Sequence, residues 1–296
     1  MSQSNLCHIV GAGAIGQYIA YELASYFPVC LHSRHSTLRN IEFEDIHNQS
    51  HSLELVDDDN NDNNDIQLLI ICTKSFEALA AFKQYQPRLS ATSIVLCLFN
   101  GLGPQFEIEK AHPNTWLATT TVGVRKLATN KIKHTGLGET LIGKTSDQPL
   151  ISPLFSQNII ACLPWQHSTN ILEKLYLKLA INSLINPLTA IYNCKNGALL
   201  NNAKALRTMQ GLASEIEELC KSLTIHLHAT DIFKISCEVA QKTAENYSSM
   251  QQDILNKRQS EIELINGYWQ QLGMLTGIIT IYNSKMIEQV KALSNY

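Results

Sequence analysis

The first half of the chain sets short apolar runs between periodic or polar stretches, and the pattern changes near residue 168. Cys7-His-Ile-Val10, Val29-Cys-Leu-His32, Ile66-Gln-Leu-Leu-Ile-Ile-Cys72, Ser93-Ile-Val-Leu-Cys-Leu-Phe99 and residues 116–122 have strand length. Their near-continuous hydrophobicity predicts parallel strands covered on both faces. Residues 19–27 repeat apolar positions at helical spacing, and residues 136–143 read as a hairpin of the same domain. From Ser168 onward glycine is sparse and a 3.6-residue period dominates. Helices are expected over 172–185, 204–223, 232–243 and 261–272, the last closed by Gly273, followed by a tail helix over 285–293. The expected fold is α/β: a Rossmann-type dinucleotide-binding domain over residues 1–168 and an all-helical domain over 169–296.

Within the first of those helices, Lys178, Asn182 and Asn186 stand four residues apart. At 100° per residue they share about 80° of arc. One cationic donor and two amides thus line a single stripe, while Leu175, Leu179 and Leu184 lie off it and can face a core. Pro187 follows directly, so the helix is expected to kink or break there.

Composition narrows the function. The 296 residues are 45% hydrophobic with a net charge of −3. That suits a packed core and gives no basic patch of the kind nucleic acid requires. No apolar run reaches the ~18 residues of a membrane-spanning helix, and a cytoplasmic protein is expected. The eight cysteines are scattered without a C-x-x-C, so no metal site or disulfide framework is indicated. The Asp/Asn run from Asp57 to Asp65 lacks the glycine and glutamate of a calcium loop and reads as a solvated loop.

The strongest chemical signal is Gly11-Ala12-Gly13-Ala14-Ile15-Gly16 between the first strand and the first helix. Gly11 permits the tight turn, Gly13 lets a pyrophosphate approach the backbone, and Gly16 allows close packing of helix on strand. The helix N-terminus then offers free N–H groups and a positive dipole end. The second strand ends in His32-Ser33-Arg34 with no carboxylate for a ribose 2′-hydroxyl. An arginine fork there suits a 2′-phosphate, which predicts NADPH over NADH. Lys74 and Asn100 each follow the carboxyl end of a strand, where ligands gather in such sheets. In the second half, Asn246 and Ser249 are polar i, i+3 neighbours, and Glu261 stands in a first helical turn.

These residues resemble the 2-dehydropantoate 2-reductase (ketopantoate reductase) family. The matching pieces are Gly11 to Gly16, Thr73-Lys74, Asn100-Gly-Leu-Gly103, Thr119-Thr-Thr121, Lys178-Leu-Ala-Ile-Asn182, Ile185-Asn-Pro-Leu-Thr-Ala190, Asn193-Cys-Lys-Asn-Gly197, Ala244-Glu-Asn-Tyr-Ser-Ser-Met250 and Glu261-Ile-Glu-Leu-Ile-Asn-Gly267. They fall in order over nearly the whole chain. The resemblance implies NADPH-dependent reduction of 2-dehydropantoate to (R)-pantoate, a step of pantothenate and coenzyme A biosynthesis. It implies that Lys178 donates the proton, with Glu261 at the cofactor–substrate boundary. It places Asn100, Asn182, Asn186, Asn196, Asn246 and Ser249 on the substrate, and Arg34, Lys74, Asn100, Val124 and Glu261 on the cofactor.

An ordinary lysine, with a pKa near 10.4, is protonated at neutral pH and can serve as that donor. Three features depart from the family pattern: Glu77 where relatives often carry glutamine, Ile281 where proline is usual, and the Asp/Asn run, which looks inserted. The expected partner is a small-molecule substrate, without nucleic acid or membrane, for a monomer or homodimer. Two other readings remain: a related reductase of another branched 2-oxo acid, and a non-catalytic NADPH-binding sensor.

Overall fold

The computed structural model describes residues 6–34, 37–58, 66–145 and 159–293, and the chain divides into two compact units. The first comprises Met1–Phe99 and Pro104–Ile171; the second comprises Asn100–Gly103 and Leu172–Tyr296.

The first unit is built on an eight-stranded sheet. Its centre is the parallel set β1 (Cys7–Val10), β2 (Val29–His32), β6 (Ile66–Ile71), β7 (Leu89–Cys97) and β8 (Thr115–Thr120). These are the apolar runs of the sequence, with Ile9, Leu31, Leu69, Ile70 and Val95 fully buried. Helices α1 (Ala14–Leu23), α2 (Ser75–Tyr85) and α3 (Pro104–Ala111) follow β1, β6 and β7. Strands β3 (Thr37–Leu38), β11 (Thr140–Gly143) and β12 (Gln166–His167) complete the sheet, in the order β12-β11-β8-β7-β6-β1-β2-β3.

A second sheet has no counterpart in the sequence pattern. It contains β4 (Asn40–Glu44), β5 (Ser50–Glu54), β9 (Gly123–Ala128) and β10 (Lys131–Gly136), in the order β5-β4-β10-β9. The expected hairpin over 136–143 is therefore not one. Gly136 ends β10 in the small sheet, whereas β11 pairs antiparallel with β8 in the large one. The hairpin is β9–β10, and the segment after it carries the chain between sheets. Gly138 there leaves no room for a side chain, since a Cβ would stand 2.5 Å from backbone atoms of Thr121 and Val122.

The Asp/Asn run also differs from expectation. The side chain of Asp58 is only 6% exposed and takes both terminal nitrogens of Arg88, at 2.6 and 3.1 Å. A buried carboxylate is retained only when so paired. Residues 59–65 of that run lie outside the described residues.

The second unit is helical: α4 (Ile171–Tyr192), a 3₁₀ turn (Asn196–Asn201), α5 (Ala203–Ser222), α6 (Ala229–Lys242), α7 (Ser249–Leu255), α8 (Ile262–Thr276) and α9 (Ile281–Leu293). Leu175, Leu179 and Leu184 are buried, as their place off the polar stripe requires. Two expectations from the sequence are corrected. Helix α4 runs through Pro187 to Tyr192 instead of ending there. Proline lacks the N–H that would satisfy the carbonyl of Ser183 four residues earlier, and Asn266 Nδ2 of α8 donates to that carbonyl at 3.2 Å. Helix α8 also passes Gly273 and closes at Gly277, whose φ is +74°. Gly273 is instead a close-approach position, where a Cβ would meet the carbonyl oxygen of Ile278 at 2.6 Å.

Candidate active site

The glycine turn in the first unit has the geometry of a phosphate cradle. Gly11 has φ +113°, and a Cβ there would lie 2.6 Å from the backbone of Cys72. At Gly16 a Cβ would lie 1.8 Å from the Gly11 carbonyl oxygen, whereas nothing stands within 4 Å of Gly13. Two glycines thus close the packing and the third opens the surface. Gly13 is the N-cap of α1 and makes no side-chain cap, so the first N–H groups of the helix remain for an anion. Ala12 completes the turn, Ala14 and Ile15 open α1, and Lys126 Nζ and Gln17 Nε2 donate to the Ala12 carbonyl at 2.8 and 3.0 Å. The residues present fit a dinucleotide.

Beside the turn lies a cleft of about 520 Å³, with Gly11, Ala12, Arg34, Thr73, Glu77 and Lys126 on its walls. The buried hydroxyl of Thr73 has no hydrogen-bond partner, as expected where a ligand completes a site. Arg34 is exposed and ion-paired with Glu77. Lys74 is the N-cap residue of α2 beside Thr73, and Val124 is partly buried on β9.

Sequence reasoning missed two features of this cleft. Lys126 reaches it from β9, a strand whose pairing no local pattern announces. His32 also lines it, and its Nε2 lies 3.1 Å from His8 Nδ1. Burial pushes the pKa of each imidazole down to about 4, with Asp58 pulling both upward and Arg88 adding to the fall. Both rings are therefore neutral at physiological pH. The one available signal was that β1 and β2 each carry a histidine.

The second unit gathers most of the remaining candidates. Lys178, Asn182 and Asn186 project from successive turns of α4, the first two partly buried and Asn186 8% exposed. Glu261 precedes α8 and is 4% exposed without serving as a side-chain cap. Burial pushes the Lys178 ammonium down to about 8, while the Glu261 carboxylate pulls it back up. That corrects the ordinary value expected from sequence: the proton is held near neutrality and more readily given up.

Asn100 belongs to this unit, because Gly101 (φ +77°) lies against α8 and Leu102 N–H donates to the Leu264 carbonyl at 3.0 Å. Asn196 is buried; its Nδ2 donates to Thr243 Oγ1 at 2.9 Å while its Oδ1 lacks a partner. Asn246 and Ser249 are exposed. They do not share a helical face, because α7 begins at Ser249 and Asn246 lies in the preceding loop. The neighbouring Ser248 caps α7, accepting from Gln251 N–H at 3.1 Å, and receives the Thr189 hydroxyl at 2.7 Å.

A glycine-cradled dinucleotide domain joined to a helical unit with a tuned lysine defines a nicotinamide-dependent oxidoreductase. Comparison with known proteins makes this specific. The family model described as "Ketopantoate reductase PanE/ApbA" matches residues 7–147, and "Ketopantoate reductase PanE/ApbA C terminal" matches residues 170–294. The 2-dehydropantoate 2-reductase of Vibrio cholerae is 34% identical over 232 residues, covering 76% of this chain and 77% of its own. That of Bacillus subtilis is 28% identical over 292 residues, 96% of each chain. A solved D-mandelate dehydrogenase with NADH and anilino(oxo)acetate superposes with a TM-score of 0.87 at 22% identity over 98% of each chain, a likeness of fold. The chain belongs to the ketopantoate reductase family.

Proposed function

We propose that this protein reduces the 2-oxo group of 2-dehydropantoate to (R)-pantoate with NADPH, taking the proton from Lys178. The reading rests chiefly on Lys178, whose pKa burial lowers to about 8 against the upward pull of Glu261, on a helix that also presents Asn182 and Asn186. NADPH, when bound, supplies the hydride. Gly11 to Gly16 and the α1 N-terminus would hold its pyrophosphate, and Arg34, Lys74, Lys126 and Val124 would hold the rest. Reduction places negative charge on the carbonyl oxygen. Lys178 neutralises it by donating a proton and stabilises it electrostatically beforehand. Asn100, Asn182, Asn186, Asn196, Asn246 and Ser249 bind substrate hydroxyl and carboxylate without competing as bases, and Glu261 positions Lys178. The protein acts as a monomer or homodimer on this small molecule.

The test is NADPH oxidation with 2-dehydropantoate set against other branched 2-oxo acids. A kcat/KM highest for 2-dehydropantoate is expected; turnover confined to another oxo acid would overturn the substrate assignment.

The pH profile depends on the same pair. Reduction needs the ammonium form, so kcat/KM should hold below pH 8 and fall as pH rises through about 8. Glu261→Gln removes the carboxylate that raises this pKa. Its alkaline limb should therefore move to lower pH, read from kcat/KM at saturating NADPH. A limb that stays in place would show that Glu261 does not set the Lys178 proton.

A further inference from the structure

We infer that Glu77 is a cofactor-specificity residue: it narrows the preference for NADPH and equips the same site to bind NADH. The inference rests on the reading above that this cleft takes NADPH.

Two devices for reading the ribose 2′ position are known in dinucleotide folds, a carboxylate that accepts a hydrogen bond from the 2′-hydroxyl and an arginine that takes the 2′-phosphate. The second strand ends in His32-Ser33-Arg34 and supplies only the arginine. The carboxylate comes instead from the first turn of α2. Glu77 lines the cleft that Arg34 lines, and the two side chains form a direct hydrogen-bonded ion pair. One site therefore holds both devices, engaged with each other.

The balance of charge sets the preference between the two cofactors. A 2′-phosphate bears close to two negative charges and seeks the Arg34 fork. Whether Arg34 turns from Glu77 or bridges the two anions with its five N–H donors, the carboxylate stays beside the phosphate as a like charge. Arg34 is exposed, its side-chain accessibility being 71% against 33% for Glu77, so turning it outward costs little. The opposition to NADPH comes from the remaining carboxylate. An unphosphorylated ribose meets neither difficulty: its 2′-hydroxyl donates to Glu77 while Arg34 remains paired.

Equilibrium binding of NADPH and NADH tests this without reference to any oxo acid, for example by quenching of intrinsic fluorescence. The wild-type Kd values are expected to differ by less than about tenfold. Glu77→Gln keeps the shape and removes the charge. It should tighten NADPH on the order of tenfold, the scale of one hydrogen bond to a charged group, and leave NADH unchanged or weaker. Arg34→Ala should weaken NADPH by about tenfold or more and leave NADH within a fewfold. A Kd ratio unchanged in Glu77→Gln while Arg34→Ala still weakens NADPH would overturn the role of Glu77 alone. NADPH binding unaffected by Arg34→Ala would overturn the placement of the 2′-phosphate, and the proposal with it.

Discussion

Lys178→Ala is expected to lower kcat at least hundredfold and leave NADPH binding within a fewfold of the parent. A positioned general acid contributes 10²–10⁴-fold, and a hundredfold loss corresponds to about 2.7 kcal/mol of barrier. In the proposed mechanism Lys178 also places a positive charge where the alkoxide forms, which adds to the expected loss. Cofactor affinity should survive because the glycine cradle, Arg34 and Lys126 belong to the first unit, whereas Lys178 belongs to the second. Lys178→Arg separates charge from proton transfer. Arginine keeps the charge but holds its proton above pH 12, so it should restore only part of the rate and remove the alkaline limb near pH 8. The measurements are steady-state kcat with 2-dehydropantoate and a fluorescence titration with NADPH. A near-normal kcat in Lys178→Ala would remove this residue from the chemistry.

The parts of the molecule legible in the sequence are those whose physics is local. A parallel strand covered on both faces must be apolar throughout, so β1, β2, β6, β7 and β8 announce themselves. The glycine spacing is equally readable, because Gly11 and Gly16 answer to steric contacts within one strand–turn–helix unit. The stripe of Lys178, Asn182 and Asn186 needs only the helical period. The small sheet was hidden because β4 and β10 pair across about ninety residues, and their mixed polarity resembles loop. Asp58 reads as one more solvated carboxylate until Arg88, thirty residues on, is found beside it. Glu77 stands out in the sequence only as a departure from the family's glutamine. Its pairing with Arg34 joins the end of β2 to a helix more than forty residues later, which no local pattern shows. Gly273 and Gly277 both stand where a helix can close, and only the left-handed φ of Gly277 separates them.

Pro187 shows how a local rule is overruled, and it leads to the largest stability effect expected here. Asn266 is wholly buried, and its Nδ2 donates both to the Ser183 carbonyl and to Asn283 Oδ1, the latter at 3.0 Å. Asn283 in turn donates its N–H and Nδ2 to Glu215 Oε2 at 3.0 and 2.9 Å, and the Trp269 indole N–H donates to Ser183 Oγ at 2.9 Å. Asn266→Ala therefore strands two buried acceptors and leaves a small cavity. Each stranded buried group costs about 1–3 kcal/mol, so a loss of about 3 kcal/mol is expected, a fall in Tm of roughly 5 °C for a chain of this size. The cause can be isolated. Pro187→Ala restores the N–H that an unbroken helix would give the Ser183 carbonyl. In that background the carbonyl keeps a partner, and Asn266→Ala should cost about 1 kcal/mol less than in the parent. Thermal or denaturant unfolding of the four proteins closes the cycle. Strict additivity would mean that Asn266 does not replace the missing proline N–H, and α4 would need another reason to continue through Pro187.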